Sequence, residues 1–75
     1  MSEAKEFLLA DEGKWRLPDE VYDKSSKEFV RLTNGLRRFN RKLLKYGFDI
    51  ISTELRKGRM WHRIEKGYRE KIKFL

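Results

Sequence analysis

Residues 36–57 carry an apolar pattern that favours one long amphipathic helix. At about 100° per residue, the apolar positions of this stretch fall within one arc of roughly 200°. They are Leu36, Phe39, Leu43, Leu44, Tyr46, Phe48, Ile50, Ile51 and Leu55. The pattern continues through Gly47, so we predict one helix from about residue 36 to residue 57. A break at Gly47 is the alternative, because an interior glycine costs about 1 kcal/mol relative to alanine.

Shorter patterns on both sides of this helix predict an α+β domain. Residues 6–17 suggest a β-hairpin, since Gly13 supplies the positive φ that a tight turn at residues 11–13 needs. Residues 19–33 predict a first helix that stops at Asn34-Gly35 and buries Val21, Tyr22, Phe29 and Leu32. Residues 59–75 predict a C-terminal β-hairpin with its turn at residues 65–67. The order is ββ-αα-ββ, a small single domain of two hairpins and two helices, the second long and amphipathic.

The length of the chain allows one domain with a thin core. Its 75 residues are 39% hydrophobic and 13% aromatic, which indicates a folded chain. A domain of this size buries only roughly 60% of the surface that its unfolded form exposes. A homodimer would stabilise so small a unit and is an open alternative.

The composition excludes several classes of site. The chain has no cysteine and one histidine, His62, so disulfides, zinc–thiolate sites and paired-histidine metal sites are excluded. No pattern of a catalytic site or a cofactor site is present, and we expect a non-enzymatic protein without a cofactor. The N-terminus lacks the features of a signal peptide, and no apolar run approaches the ~18 residues of a membrane span. These observations predict a soluble, cytoplasmic protein without membrane contact, whose residues 1–5 are flexible.

The charge is divided unevenly along the chain. Residues 1–25 contain four Lys/Arg and seven Asp/Glu, a net charge of −3, whereas residues 26–75 contain fifteen and five, a net of +10. Cations in such excess favour a polyanionic partner, because Lys and Arg bound to phosphates release condensed counterions. A surface charge that only solubilises the protein is the alternative.

Two groups of cations are the candidate nucleic-acid-binding residues. The helix group lies on or beside the polar face of the long helix and consists of Arg37, Arg38, Arg41, Lys42 and Lys45. The C-terminal hairpin adds Arg59, Arg63 and Arg69. A basic helix beside a basic hairpin resembles the layout of winged-helix DNA readers, which implies a helix in a groove and a hairpin against the backbone. A winged helix usually has three helices, of which this pattern predicts two.

Two further resemblances imply other roles. Residues 14–46, beginning Lys-Trp-Arg-Leu-Pro-Asp-Glu-Val, are similar to ribbon-helix-helix repressors, which implies that Lys14 and Arg16 face the bases. Residues 63–69, Arg-Ile-Glu-Lys-Gly-Tyr-Arg, are similar to the late hairpin of RelE-like toxins that cleave messenger RNA. That resemblance implies a catalytic role for Arg63, Tyr68 and Arg69.

The sequence as a whole favours a small regulatory or accessory module that binds nucleic acid, DNA in preference to RNA. The alternative is a protein-interaction module, of the kind that phages and plasmids encode, that docks on an acidic protein surface of a larger machine such as RNA polymerase. Trp15 and Trp61 are interpreted as core residues, with base stacking as the alternative.

Overall fold

The computed structural model describes residues 3–75 and confirms the α+β class. Three α-helices and one antiparallel β-hairpin lie within these residues. In chain order they are α1 (Glu3–Leu9), a 3-10 turn (Pro18–Glu20), α2 (Lys27–Lys45), β1 (Ile51–Arg56), β2 (Arg59–Ile64) and α3 (Arg69–Ile72). The class is as the sequence predicts, but the boundaries of its elements differ.

One helix, α2, replaces the two that the sequence predicts over 19–33 and 36–57. The helix begins after Ser26, whose hydroxyl accepts a hydrogen bond from the Phe29 amide at 3.1 Å and caps the N-terminus. It then passes through Asn34-Gly35, where a stop is predicted, because Leu32 and Leu36 are buried on both sides of that dipeptide. Gly35 also allows α1 to come close, since a Cβ at this position would lie 3.3 Å from the Cβ of Ala4.

The long helix ends before Gly47, so the prediction of a helix to residue 57 is wrong and the alternative of a break is confirmed. Gly47 has a φ of +89°, which a side chain rarely adopts. The amide of Gly47 donates to the Leu44 carbonyl and the amide of Phe48 to the Leu43 carbonyl. These two bonds form a Schellman motif that satisfies the last carbonyls of α2.

The hairpin lies at residues 51–64, earlier than the predicted span of 59–75. Ile51 pairs with Ile64 and Arg56 with Arg59, which leaves a two-residue loop. Both loop residues have positive φ, +50° at Lys57 and +75° at Gly58, as a type I′ turn requires. The apolar residues of this stretch, Phe48, Ile50, Ile51 and Leu55, fit the arc of a helix, but Gly47 ends α2 before them and the turn at Lys57-Gly58 pairs Ile51–Arg56 with β2 as a strand.

The predicted N-terminal hairpin is also wrong, because its first half is helix α1. Residues 3–10 are rich in Ala, Leu, Glu and Lys, which are strong helix formers. The predicted turn does occur, with a φ of +85° at Gly13. The second half is extended but pairs elsewhere: the Arg16 amide donates to the His62 carbonyl and the His62 amide to the Arg16 carbonyl.

The last predicted strand is instead α3. Tyr68, Ile72 and Leu75 are spaced at i, i+4 and i+7, and all three pack on the core from one side of a short helix. Lys5 fixes this segment from α1, because its buried ammonium donates to the carbonyls of Lys73 and Leu75 at 3.0 Å each.

A single hydrophobic core joins all of these elements. Its fully buried side chains are Leu8 from α1, Leu32 and Leu43 from α2, Ile64 from β2 and Ile72 from α3. The expectation that residues 1–5 are flexible does not hold for Ala4 and Lys5, which are buried in α1, and Met1 and Ser2 lie outside the described residues. Over residues 3–75, every helix is too short or too polar to cross a membrane.

Candidate nucleic-acid interface

The solvent-facing side of α2 is strongly basic. We call this surface the basic face; it consists of Lys27, Arg31, Asn34, Arg37, Arg38, Arg41, Lys42 and Lys45, all exposed. The buried positions Leu32, Leu36, Phe39 and Leu43 fix its direction, because they hold the opposite side of the helix on the core. The one acidic residue of α2 is Glu28, in the first turn, where the helix dipole favours it.

None of the cations of the basic face forms an ion pair with a carboxylate in the described part of the chain. Several lie three or four residues apart, as Arg37 and Arg41 do, and so repel one another across one helical turn. Carboxylates of residues 3–75 therefore do not neutralise the positive charge of this surface.

The structure brings together all five helix cations predicted from the sequence, Arg37, Arg38, Arg41, Lys42 and Lys45. Sequence reasoning missed Lys27, Arg31 and Asn34, which extend the same face toward the N-terminus. The error followed from the predicted helix boundary at residue 34. Ser26, a strong N-cap residue just before a run with helical periodicity, is the signal that would have found them.

A shallow recess of about 270 Å³ lies within the basic face. It is lined by Asn34, Arg37, Arg38 and Arg41. The Arg37 guanidinium donates a hydrogen bond to the side-chain oxygen of Asn34 at 3.3 Å, which orients the amide and leaves its NH₂ group directed elsewhere. The recess therefore combines an oriented amide with guanidinium groups, the side chains that most often contact base edges and phosphates.

The cations predicted outside α2 lie in a different electrostatic setting. Arg59, at the start of β2, donates to both carboxylate oxygens of Asp19 at 2.8 and 2.9 Å. Arg69, in α3, donates to the Leu9 carbonyl at 2.5 Å and lies 3.8 Å from Glu12. The acidic N-terminal third therefore neutralises cations of the hairpin and of α3, while those of α2 stay uncompensated.

Arg63 belongs to a cluster of aromatic and basic side chains on the hairpin face that points away from α2. The Arg63 guanidinium lies 5.0 Å from the ring centre of Trp15, and that of Arg56 lies 4.9 Å from Trp15 and 6.0 Å from Trp61. Arg56 also pairs with Glu54 at 2.9 Å, and this pairing lowers the pKa of the Glu54 carboxyl. The two tryptophans are half-buried, so they are surface-packed and not part of the core.

The side chains singled out by the other two resemblances have structural contacts. Arg16 is half-buried, pairs with Asp11 at 3.0 Å and with Glu20, and lies 4.2 Å from the Phe7 ring centre, so it does not face outward as a base reader.

The toxin-like residues do not share a sheet either, since Arg63 lies on β2, Tyr68 precedes α3 and Arg69 is in α3. Tyr68 packs edge-on against Phe48 with ring centres 6.0 Å apart.

His62 is half-buried on the hairpin face that points toward α2. Its Nδ1 lies 3.1 Å from the Thr53 hydroxyl, and burial lowers the pKa of the imidazole below its usual 6.5. Within residues 3–75 there is no cluster of His, Asp and Glu side chains suited to hold a metal ion.

A comparison with protein-family models, with curated proteins and with solved structures finds no match to the chain. The function of the chain is therefore inferred from the geometry and electrostatics of its surface.

Proposed function

We propose that the chain is a small, non-enzymatic module that binds double-stranded DNA in the cytoplasm and acts as a regulatory or accessory factor. The observation that carries this proposal is the basic face of α2, whose cations are all exposed and without ion-pair partners among residues 3–75. Such a surface suits phosphates, because each Lys or Arg that neutralises one releases condensed counterions.

The dimensions of α2 support a position in the major groove. Its 19 residues give a rod about 28 Å long, and an α-helix of about 10–12 Å diameter fits the major groove of B-DNA. Asn34, Arg38 and Arg41 lie on the side opposite Leu36, so they point furthest from the core. In this orientation Asn34 reaches base edges, while Arg38, Arg41 and the other helix cations contact phosphates of the two strands that border the groove.

The hairpin supplies a second contact in this proposal. The position of α2 beside the hairpin resembles a recognition helix beside the wing of a winged helix, but only α1 and α2 precede the hairpin, where that layout usually has three helices. Lys57 stands at the hairpin tip, exposed and without an ion-pair partner in the described residues. In the proposed complex it contacts the backbone beside the groove that α2 enters.

The test is fluorescence anisotropy with a labelled duplex of random sequence at several salt concentrations. Five phosphate contacts, from the five helix cations of the original prediction, give a log–log slope of about −4.5, equivalent to a loss of about 500-fold in affinity between 50 and 200 mM salt. Arg38→Gln and Arg41→Gln should each flatten the slope by about 0.9.

Lys71→Gln is the matched control. Lys71 is an exposed cation of α3, so its replacement changes the net charge equally on another surface. Equal losses in all three variants would mean that net charge alone drives binding, and the absence of duplex binding below about 10 µM at 50 mM salt would refute the proposal. A single-stranded RNA of the same length tests the expected preference for DNA.

A protein partner is the second candidate, and the cluster of Trp15, Arg56, Trp61 and Arg63 favours it. Tryptophan and arginine are enriched among the residues that dominate protein interfaces. In that case the chain docks on an acidic surface of a larger machine such as RNA polymerase. Substitution of Trp61 by alanine separates the two candidates. Trp61 lies outside the basic face, so the duplex affinity of this variant should stay within twofold of that of the unmodified protein.

A further inference from the structure

A groove of about 640 Å³ separates α2 from the hairpin. Phe29 and Leu36 form its wall on α2, Ile51 and Met60 its wall on the hairpin, and Leu17 closes one end. Small-molecule sites in proteins are concave, mostly apolar and about 300–1,000 Å³ in volume. The groove has the size and the lining of such a site, and Met60, which is 46% exposed, is open to an apolar ligand.

Polar and charged side chains line the groove beside its apolar walls, among them Asn40, whose buried side-chain oxygen has no hydrogen-bond partner in the described part of the chain. Asp19, the only acid among the lining residues, is already occupied by Arg59 and lies 3.7 Å from Lys24. Arg37, at the rim on α2, donates a 3.3 Å hydrogen bond to Asn34 and has no carboxylate partner among the described side chains. The three cations and one acid that line the groove give it a net charge of +2, and Arg37 is the one cation of the three with no carboxylate beside it among the described residues, so the groove is complementary to an apolar molecule with a negative charge.

We propose that this groove binds a small amphipathic organic acid, with its apolar body between Leu36 and Met60 and its carboxylate paired with Arg37. The guanidinium fork accepts a carboxylate with two parallel hydrogen bonds, which fixes the orientation of the ligand. Neutral and cationic molecules of the same shape lack this partner. The proposal does not depend on DNA binding.

The experiment is an NMR titration of the isotope-labelled protein with 4-phenylbutyrate, 4-phenylbutan-1-ol and 4-phenylbutylamine, which share one apolar body. The acid should bind about fivefold more tightly than the alcohol, the size expected for a partly exposed ion pair, and the amine should bind most weakly. The shifted resonances should be those of Ile51, Met60 and His62, because these residues line the groove.

Two variants assign the carboxylate partner. Arg37→Gln should abolish the preference for the acid and leave the affinity for the alcohol unchanged. Arg38→Gln is the matched control, since Arg38 is the next cation of α2 but does not line the groove, and it should bind all three compounds as the unmodified protein does. Thr33→Trp, on the rim of the groove, should block all three.

Three outcomes would overturn the proposal. The first is the absence of a saturable shift of the groove resonances with the acid up to about 10 mM. The second is an acid preference that survives Arg37→Gln. The third is a shift of the groove resonances with protein concentration, without any ligand, together with a dimer in sedimentation. This result would show that the groove is occupied by a second copy of the chain.

Occupation of the groove has a consequence that depends on the proposed function, because Arg37 also belongs to the basic face. A bound acid removes one phosphate contact and should weaken duplex binding by about eightfold at 0.1 M salt. Unchanged duplex affinity with the acid bound would refute this coupling and leave the site intact. If no duplex binds at all, the proposed function fails, while the NMR titration still decides whether the groove is a ligand site.

Discussion

Replacement of Asp19 by asparagine should turn two internal ion pairs into two phosphate contacts. The Asp19 carboxylate accepts both hydrogen bonds of the Arg59 guanidinium and lies 3.7 Å from the Lys24 ammonium. Its side chain is only 12% exposed, so solvent screens its attraction to the two cations only in part. Because asparagine keeps the shape and loses the charge, Arg59 and Lys24 become available to an external anion.

The expected change follows from counterion release. Each added phosphate contact steepens the log–log salt slope by about 0.9 and raises affinity about eightfold at 0.1 M salt, so two contacts give up to about 60-fold. The variant should lose about 1 kcal/mol of stability or less, since Arg59 is 47% exposed and partly exposed pairs contribute little. Anisotropy with a random duplex at 50–400 mM salt measures the slope, and urea unfolding measures the stability.

Glu70→Gln is the control for this variant. It removes one negative charge from α3 and frees Lys73, which lies 3.0 Å from Glu70, on a surface away from the proposed interface. If Asp19→Asn and Glu70→Gln raise affinity equally, the effect is one of net charge. If Asp19→Asn leaves the slope unchanged, Arg59 and Lys24 do not face the duplex and the hairpin is not part of the interface.

Two further predictions concern stability. Because burial lowers the pKa of His62 in the folded state, the unfolded chain takes up a proton first as the pH falls below about 6.5. The free energy of unfolding should therefore decrease as the pH falls from 6.5 to the folded-state pKa, by no more than about 1.4 kcal/mol per pH unit. Urea unfolding at pH 7.5 and 5.5 measures this decrease, and a His62→Gln variant with the same pH dependence as the unmodified protein would contradict it. Gly47→Ala should lower the free energy of unfolding by about 1 kcal/mol, because the φ of +89° at this position disfavours any side chain, although a Cβ there would contact nothing within 4 Å. A melting temperature equal to that of the unmodified protein would show that the end of α2 rearranges without strain.

Local signals in the sequence predict the features that depend on neighbouring residues. The spacing of Leu36, Phe39 and Leu43 predicts a helix with one buried side, and all three are buried. The turn at Gly13 and the alternative break at Gly47 are visible because positive φ favours glycine. The basic surface of α2 follows from the same periodicity, which is why its five central cations could be named in advance.

Features that depend on distant residues could not be predicted. Arg59 and Asp19 are forty positions apart, so nothing near Arg59 in the sequence shows that its charge is compensated. The extended segment around Arg16 finds its partner in His62, and a pairing over that distance is set by the fold as a whole. Residues 68–75 satisfy both a strand pattern and a helical one, and burial of Ile72 decides for the helix.

The basic face should reduce the stability of the isolated chain, and this cost can be measured. Arg41 lies three or four residues from Arg37, Arg38 and Lys45, and each like-charged pair at this spacing opposes the helix by roughly 0.2–0.5 kcal/mol at low salt. Arg41→Gln should therefore stabilise the protein by about 0.6–1.5 kcal/mol while it weakens duplex binding. The gain should shrink in 0.5 M salt, where exposed charges are screened over about 4–5 Å. Thermal unfolding at both salt concentrations tests this, and an Arg41→Gln variant less stable than the unmodified protein would show that Arg41 is held by a contact within the fold and is not kept for an external anion.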